Sequence, residues 1–326
     1  MYKWLLILSM LSVQTLASGQ KPAFHANMRI VFESLEEAAG DLTNVYHLKL
    51  EGKNLREVPE EISLMPNLVS LYLSDNELTD LGDRFDHLKN LEFLELSGNR
   101  FQKIPAMQLR HCTGLRELYI RDNLIGEISE DINELKYLST LDAGSNQIRQ
   151  VAEGINLSYL KKIRLDNNYL AQTPAFLAKS SKLEYLNLNN NDISDISILA
   201  GMYRLQTLNL GDNPVQSVLP VKNLKKLEYL VLDWIDLSGV DPEFLKGLSA
   251  LRVLSLEHCS LDDFSAFTGN WPSLEELSLI GNEFQMLPAP FRRIKSLKKI
   301  WLKGNPIPES EISVLAEALP DCQVFK

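Results

Sequence analysis

The stretch "LEYLNLNNNDI", residues 183 to 193, has leucines at its first, fourth and sixth positions and an isoleucine at its eleventh. Apolar residues two apart are strand periodicity. Leu186 and Leu188 therefore share one face, and Tyr185, Asn187 and Asn189 take the other. A single short strand cannot bury its own leucines. The stretch needs neighbours built the same way, and the chain supplies them.

Stretches of this kind begin at residues 45, 68, 91, 115, 138, 160, 183, 205, 227, 251, 274 and 297, so twelve units follow one another at intervals of 22 to 24 residues. Their common form is L-x-x-L-x-L-x-x-N-x-L. Such self-similarity signals a stacked repeat architecture, in which each unit buries its apolar face only against the next. At ~4.8 Å per strand, twelve strands give an inner arc of roughly 55 Å. Segments such as "EVPEEI", "KIPAMQL" and "MLPAPF" place Pro59, Pro105 and Pro288 in the return half of their units. Proline there favours irregular or short helical returns over a second broad sheet. Because the returns are wider than the strands, the stack is expected to curve with its sheet inside.

The ninth position is asparagine in nine units: Asn76, Asn99, Asn123, Asn146, Asn168, Asn191, Asn213, Asn282 and Asn305. The chain turns there, and an amide side chain supplies two donors and an acceptor for backbone groups that the stack buries. The reading is a structural ladder, not a catalytic one.

This pattern resembles the leucine-rich repeat family from residue 45 to about 307, and the match is specific. The resemblance implies an α/β solenoid: a curved horseshoe with a parallel sheet on the concave face and irregular or short helical segments on the convex face. It also implies an interaction scaffold, as most relatives are. The chain ends look like those of secreted bacterial members, since the cysteine-rich caps of extracellular animal and plant relatives are absent.

Both ends of such a stack need covers. In "SLEEAAGDL", 34 to 42, Ser34 and Glu37 make a capping-box pattern, and Leu35, Ala38, Ala39 and Leu42 share an apolar face. A short capping helix is expected within residues 20 to 44. Residues 308 to 326 read as a C-terminal cap. Ile312, Leu315 and Leu319 share a helical face, Pro320 ends the helix, and "CQVF" adds a closing strand.

The first 19 residues have the order of an export signal: Lys3, an apolar run from Trp4 to Leu16, then Ala17, Ser18 and Gly19. The expected destination is outside the cytoplasm: secreted, periplasmic or on the cell surface. The chain carries 43 acidic against 33 basic residues, net charge -10, which disfavours nucleic acid as a partner. No later run reaches the length of a membrane span. Three cysteines, Cys112, Cys259 and Cys322, lie in distant units and suggest no disulfide framework. No C-x-x-C, H-E-x-x-H or phosphate loop occurs, so no metal or cofactor is expected. No convergent acid–base or nucleophile set points to an enzyme.

Function is then sought at the positions that face outward from the sheet: three, five and seven, with eight at the strand end. In the middle units these are polar, as at Thr140, Asp142, Lys162, Arg164, Asp166 and Asn187. From the ninth unit on they change. "LEYLVLDWIDL", 227 to 237, matches the opening stretch leucine for leucine but writes Val231, Asp233, Trp234 and Ile235 where the other has asparagine. The expected partner-binding residues are Tyr229, Val231, Asp233, Trp234, Val253, His258, Ile280 and Trp301. Tyr72, Phe93 and Tyr119 form a second candidate contact. Aromatic residues dominate binding hot spots, which favours recognition. A competing reading has Trp234 and Ile235 filling the gap left by the lost ladder side chain, with Asp236 turning inward to replace the missing acceptor. The partner is expected to be a protein. A carbohydrate stacked on Tyr229, Trp234 and Trp301 is the alternative, and an intracellular scaffold follows if the export signal is false.

Overall fold

The computed structural model describes residues 30–263 and 271–326. The export signal expected at 1–19 lies outside the described residues.

Among the described residues, fourteen parallel strands form one sheet in chain order. Twelve belong to the repeats, each three residues long and centred on the fourth position of its unit. Neighbours pair in register, as Tyr185–Asn187 does with Thr207–Asn209. Registration in parallel stacks like residues on like, so one leucine core runs the length of the sheet. Leu71, Leu73, Leu186, Leu188, Leu230 and Leu232 are all at 0% exposure within it. The molecule is a curved α/β solenoid.

The two further strands close the ends. Gln323–Phe325 pairs with Lys299–Trp301 beyond the last unit. Val31–Phe32 pairs with His47–Leu48 before the first. The N-terminal strand was invisible as a pattern because two residues carry no periodicity. The helix after it spans only Leu35–Ala38, with the Glu37 amide donating to Ser34 Oγ at 3.2 Å. Glu37 returns its carboxylate to the amide of Glu33 rather than to that of Ser34. At the other end, helix Glu309–Ala318 buries Leu315.

The convex side consists mainly of single 3-10 turns, such as Glu60–Leu64, Ala175–Lys179 and Ala289–Arg293. Pro59, Pro174 and Pro288 immediately precede these three, where a missing N–H costs nothing. One small departure is a two-stranded parallel pair, Glu127–Ile128 with Gln150–Val151.

The ladder is continuous through its asparagine units. Asn168 shows its chemistry: Oδ1 accepts from the Ile148 amide of the previous unit at 2.9 Å. Its Nδ2 donates to Ala143, Leu165 and Asp166 carbonyls at 3.0 to 3.2 Å. Position eight, just before, has positive φ in every unit, from 48° at Ser145 to 79° at Gly304. Glycine, aspartate, asparagine and serine fill it in ten units, as the left-handed region prefers. Trp234 at 64° and His258 at 55° fill it in the other two.

Candidate functional site

The concave sheet falls into zones of different chemistry. In units two to four, Tyr72 and Tyr119 stand at position five and Phe93 at position three. Registration puts Glu95 directly between the two tyrosines in one row, and pairs Phe93 with Glu117 in the next. The Phe93 ring meets both tyrosines diagonally, with ring centroids 4.9 Å from Tyr72 and 5.2 Å from Tyr119. All three rings are half-buried on the sheet surface. Tyr119 donates its hydroxyl to Glu117 at 2.8 Å, and Lys49 Nζ lies 5.3 Å above the Tyr72 ring. Glu95 Oε1 accepts from the Ser97 amide at 2.9 Å. Burial pushes the Glu95 carboxyl above its usual range; the Ser97 bonds oppose that rise, while Asp142 and Glu51 add to it.

In units four to seven the zone is charged but self-neutralised. Arg121 donates to Asp166 Oδ2 at 2.9 Å and to Ser145 Oγ at 2.8 Å. Arg164 Nη1 stands 3.6 Å from Asp142. Asn187 Nδ2 donates to the other oxygen of Asp166 at 2.9 Å. Asp142 and Asp166 are only 4% and 5% exposed although they face outward, because these partners cover them. Burial raises the Asp142 carboxyl, and the Arg164 charge opposes the rise. The Arg164 guanidinium also lies over the Tyr185 ring at 5.6 Å.

The residues expected from units nine to twelve do not form one patch. Tyr229 pairs with Val253, but the same row continues as Glu276 and Lys299, which bond each other at 2.8 Å. In the row of Val231 the next two residues are Ser255 and Ser278, and only then comes Trp301. Three strand steps, roughly 14 Å, separate Val231 from Trp301. Trp301 stacks on Phe325 of the closing strand at 5.2 Å and 11°. Ile280 stands at position seven, half-buried, beside neither tryptophan in the ladder of like positions.

Trp234 and Ile235 have separate fates. Ile235 enters the core at 1% exposure. The backbone repairs the lost ladder bond without a side chain: Val215 N, which an asparagine at 235 would have received, donates to the Asn213 carbonyl at 2.9 Å. Cys259, at the same position of the next unit, stands in for an asparagine of its own: its thiol donates to Leu232 O at 3.2 Å, and its carbonyl accepts from Leu237 N at 2.9 Å. Asp236 does not turn inward. It is exposed and accepts from the Ser238 amide at 3.0 Å, since an unpaired carboxylate is costlier to bury than the amide it would replace. Trp234 fills no gap either. It is 54% exposed and stacks on His258 at 4.0 Å and 15°. His258 in turn lies over Gly281, where a Cβ would fall 2.2 Å from the imidazole. Beneath this edge, Asp233 accepts from Ser255 Oγ at 2.6 Å and from the Glu257 amide at 2.9 Å. Burial pushes its carboxyl up to about 6.

Sequence reasoning missed Glu95, Glu117 and Arg121. Their signal was their position: each occupies an outward place beside an aromatic or acidic one. Burial raises the Cys112 thiol to about 12 and the Cys322 thiol to about 11, and pushes Cys259 up as well, so these thiols stay protonated near neutral pH. Among the described residues, no cluster of His, Cys, Asp or Glu has metal-holding geometry, and no helix is long and apolar enough to cross a membrane.

Comparison with known proteins agrees with this architecture. The family model described as leucine rich repeat matches residues 43–101, and that for two repeat copies matches 89–137 and 181–223. A leucine-rich repeat protein of Leptospira interrogans superposes with TM-score 0.75 at 26% identity, covering 91% of this chain and 82% of that one. The chain is a leucine-rich repeat protein. An internalin of Listeria monocytogenes shares the leucine-rich repeat fold with TM-score 0.69 at 23% identity, covering 90% of this chain and 88% of that one. Podocan of Mus musculus is 27% identical over 87% of this chain and 46% of its own length. Podocan-like protein 1 of the same organism is 28% identical over 80% of this chain and 52% of its own. This leucine-rich repeat chain thus spans about half the length of the curated relatives it matches.

Proposed function

We propose that the protein is an exported, non-enzymatic binding module that holds a protein partner in its concave face. The observation that carries this reading is the Tyr72–Phe93–Tyr119 zigzag. Three rings in mutual contact on an otherwise polar sheet offer the large, rigid contact area that dominates protein interfaces. The Trp234–His258 stack, five to eight units further along the arc, serves as a second contact. Asp233 lies beneath it, and Val231, Tyr229 and Val253 extend the contact along the same strands. Trp301 acts first as part of the C-terminal closure and only marginally in binding, and Ile280 adds rim area.

Capture by residues 20–326 tests this, with the partner then purified and titrated calorimetrically. A Phe93→Ala, Tyr119→Ala double variant with unchanged circular dichroism should weaken binding at least tenfold. A Trp234→Ala, Trp301→Ala variant should weaken it less. Full affinity in the first variant would sink the reading.

One observation favours carbohydrate instead. The exposed indole of Trp234 stands near Asp212 and Asp236, both exposed, and such a ring flanked by carboxylates suits a sugar. Binding on a glycan array that is abolished by Trp234→Ala would establish that alternative.

A further inference from the structure

The aromatic zigzag lies in a field of net negative charge. Glu51, Glu95 and Glu117 surround its rings, and among the described residues none of the three forms an ion pair. Lys49, over the Tyr72 ring, is one cation against these three carboxylates, and a second is drawn elsewhere. Arg121 follows Tyr119 by two residues, yet its guanidinium reaches away to Asp166 and Ser145. The middle of the sheet is therefore balanced and the zigzag is not. Lys49 over Tyr72 shows that these ring faces accept a cation.

We propose that the zigzag is the seat of a basic segment of the protein partner. This rests on the concave-face reading above and deepens it. An Arg or Lys side chain over Phe93 and Tyr119 gains cation–π attraction and a carboxylate partner at once. Dimensions suit an extended segment. The zigzag spans two strand steps, roughly 10 Å, and alternate residues of an extended chain lie ~6.6 Å apart on one side. Two basic side chains so spaced reach Glu95 and Glu117 together. The net charge of -10 steers such a partner inward. The raised Glu95 carboxyl agrees with this geometry: burial first, then Asp142 and Glu51, oppose its ionisation, which a cation seated beside it favours.

The test is fluorescence anisotropy of a labelled hexa-arginine peptide at about 0.15 M salt, where long-range attraction is largely screened. A Glu95→Gln, Glu117→Gln variant keeps the shapes and the Ser97 and Tyr119 hydrogen bonds. It should lose about tenfold or more in affinity. A charge-matched Glu61→Gln, Glu153→Gln variant, altered outside the concave sheet, should lose less than about twofold. Equal losses would show attraction to net charge alone and overturn the proposal. So would a parent protein that binds hexa-arginine no better than a neutral glycine–serine peptide. The captured partner separates the two readings. If Phe93→Ala, Tyr119→Ala abolishes its binding and Glu95→Gln, Glu117→Gln leaves it intact, the concave face stands and the basic segment falls.

Discussion

Trp234 holds a left-handed backbone that an ordinary side chain occupies at a cost of ~1–2 kcal/mol. An exposed ring stack such as that with His258 returns ~0.5–1.5 kcal/mol. The two nearly cancel, so Trp234→Asn should leave stability unchanged or raise it by up to ~1 kcal/mol in urea unfolding. A core tryptophan would lose ~3–5 kcal/mol on truncation. A loss of that size would return Trp234 to packing. Asp233 makes a second prediction. Its carboxyl is raised to about 6 by burial, so the protonated form suits the fold. That contribution is present below the unfolded pKa, near 4, and is lost as pH rises through about 6. Asp233→Asn keeps both hydrogen bonds and removes the charge. The variant should gain on the parent by ~2–3 kcal/mol between pH 4 and pH 7.5, and a pH-independent difference would contradict the burial argument.

At the scale of the element, the turn decides more than the strand. Each three-residue strand is a minor part of its unit, while the ladder asparagine ties two units together. Removing Asn168 leaves the Ile148 amide unpaired in a buried turn, while the Ala143 carbonyl keeps Asn146 Nδ2 alone. At ~1–3 kcal/mol per unsatisfied group, Asn168→Ala should cost about 3 kcal/mol. Calorimetry should show this as a lower Tm. Unit nine tolerates Ile235 because the amide it leaves unserved, Val215 N in the unit before, turns to the Asn213 carbonyl. The same isoleucine in unit six lacks that relief, since the Ile148 amide has the Asn168 oxygen as its partner.

At the scale of the whole molecule, stability is a sum over neighbours, and the ends decide whether it holds. Ile300 and Leu302 are buried at 0% and 1% under the closing strand and helix. A chain ending at Ile307 uncovers them together with the Trp301–Phe325 stack. It should bind a hydrophobic dye and lose amide protection in its last units first, while the units around Tyr72 keep theirs. Uniform loss of protection would mean that the solenoid unfolds as one block.

The repeat, its register, the inward leucines, the ladder and the curved sheet were legible in the sequence, because all depend on local periodicity repeated at fixed spacing. So was the membership of Tyr72, Phe93 and Tyr119 in one group, since their units are consecutive. The closing strand Val31–Phe32 was not, being too short to show a period. Nor was the division of the late aromatic residues, which reads as one cluster along the chain. Registration puts Ser255 and Ser278 between Val231 and Trp301 in one row and sends Trp301 to the C-terminal closure, while Trp234 stands apart at the strand end. Charge balance was the least legible. The same side chain, Arg121, could neutralise Glu117 or Asp166, and only its reach across units, set by tertiary packing, leaves the zigzag negative.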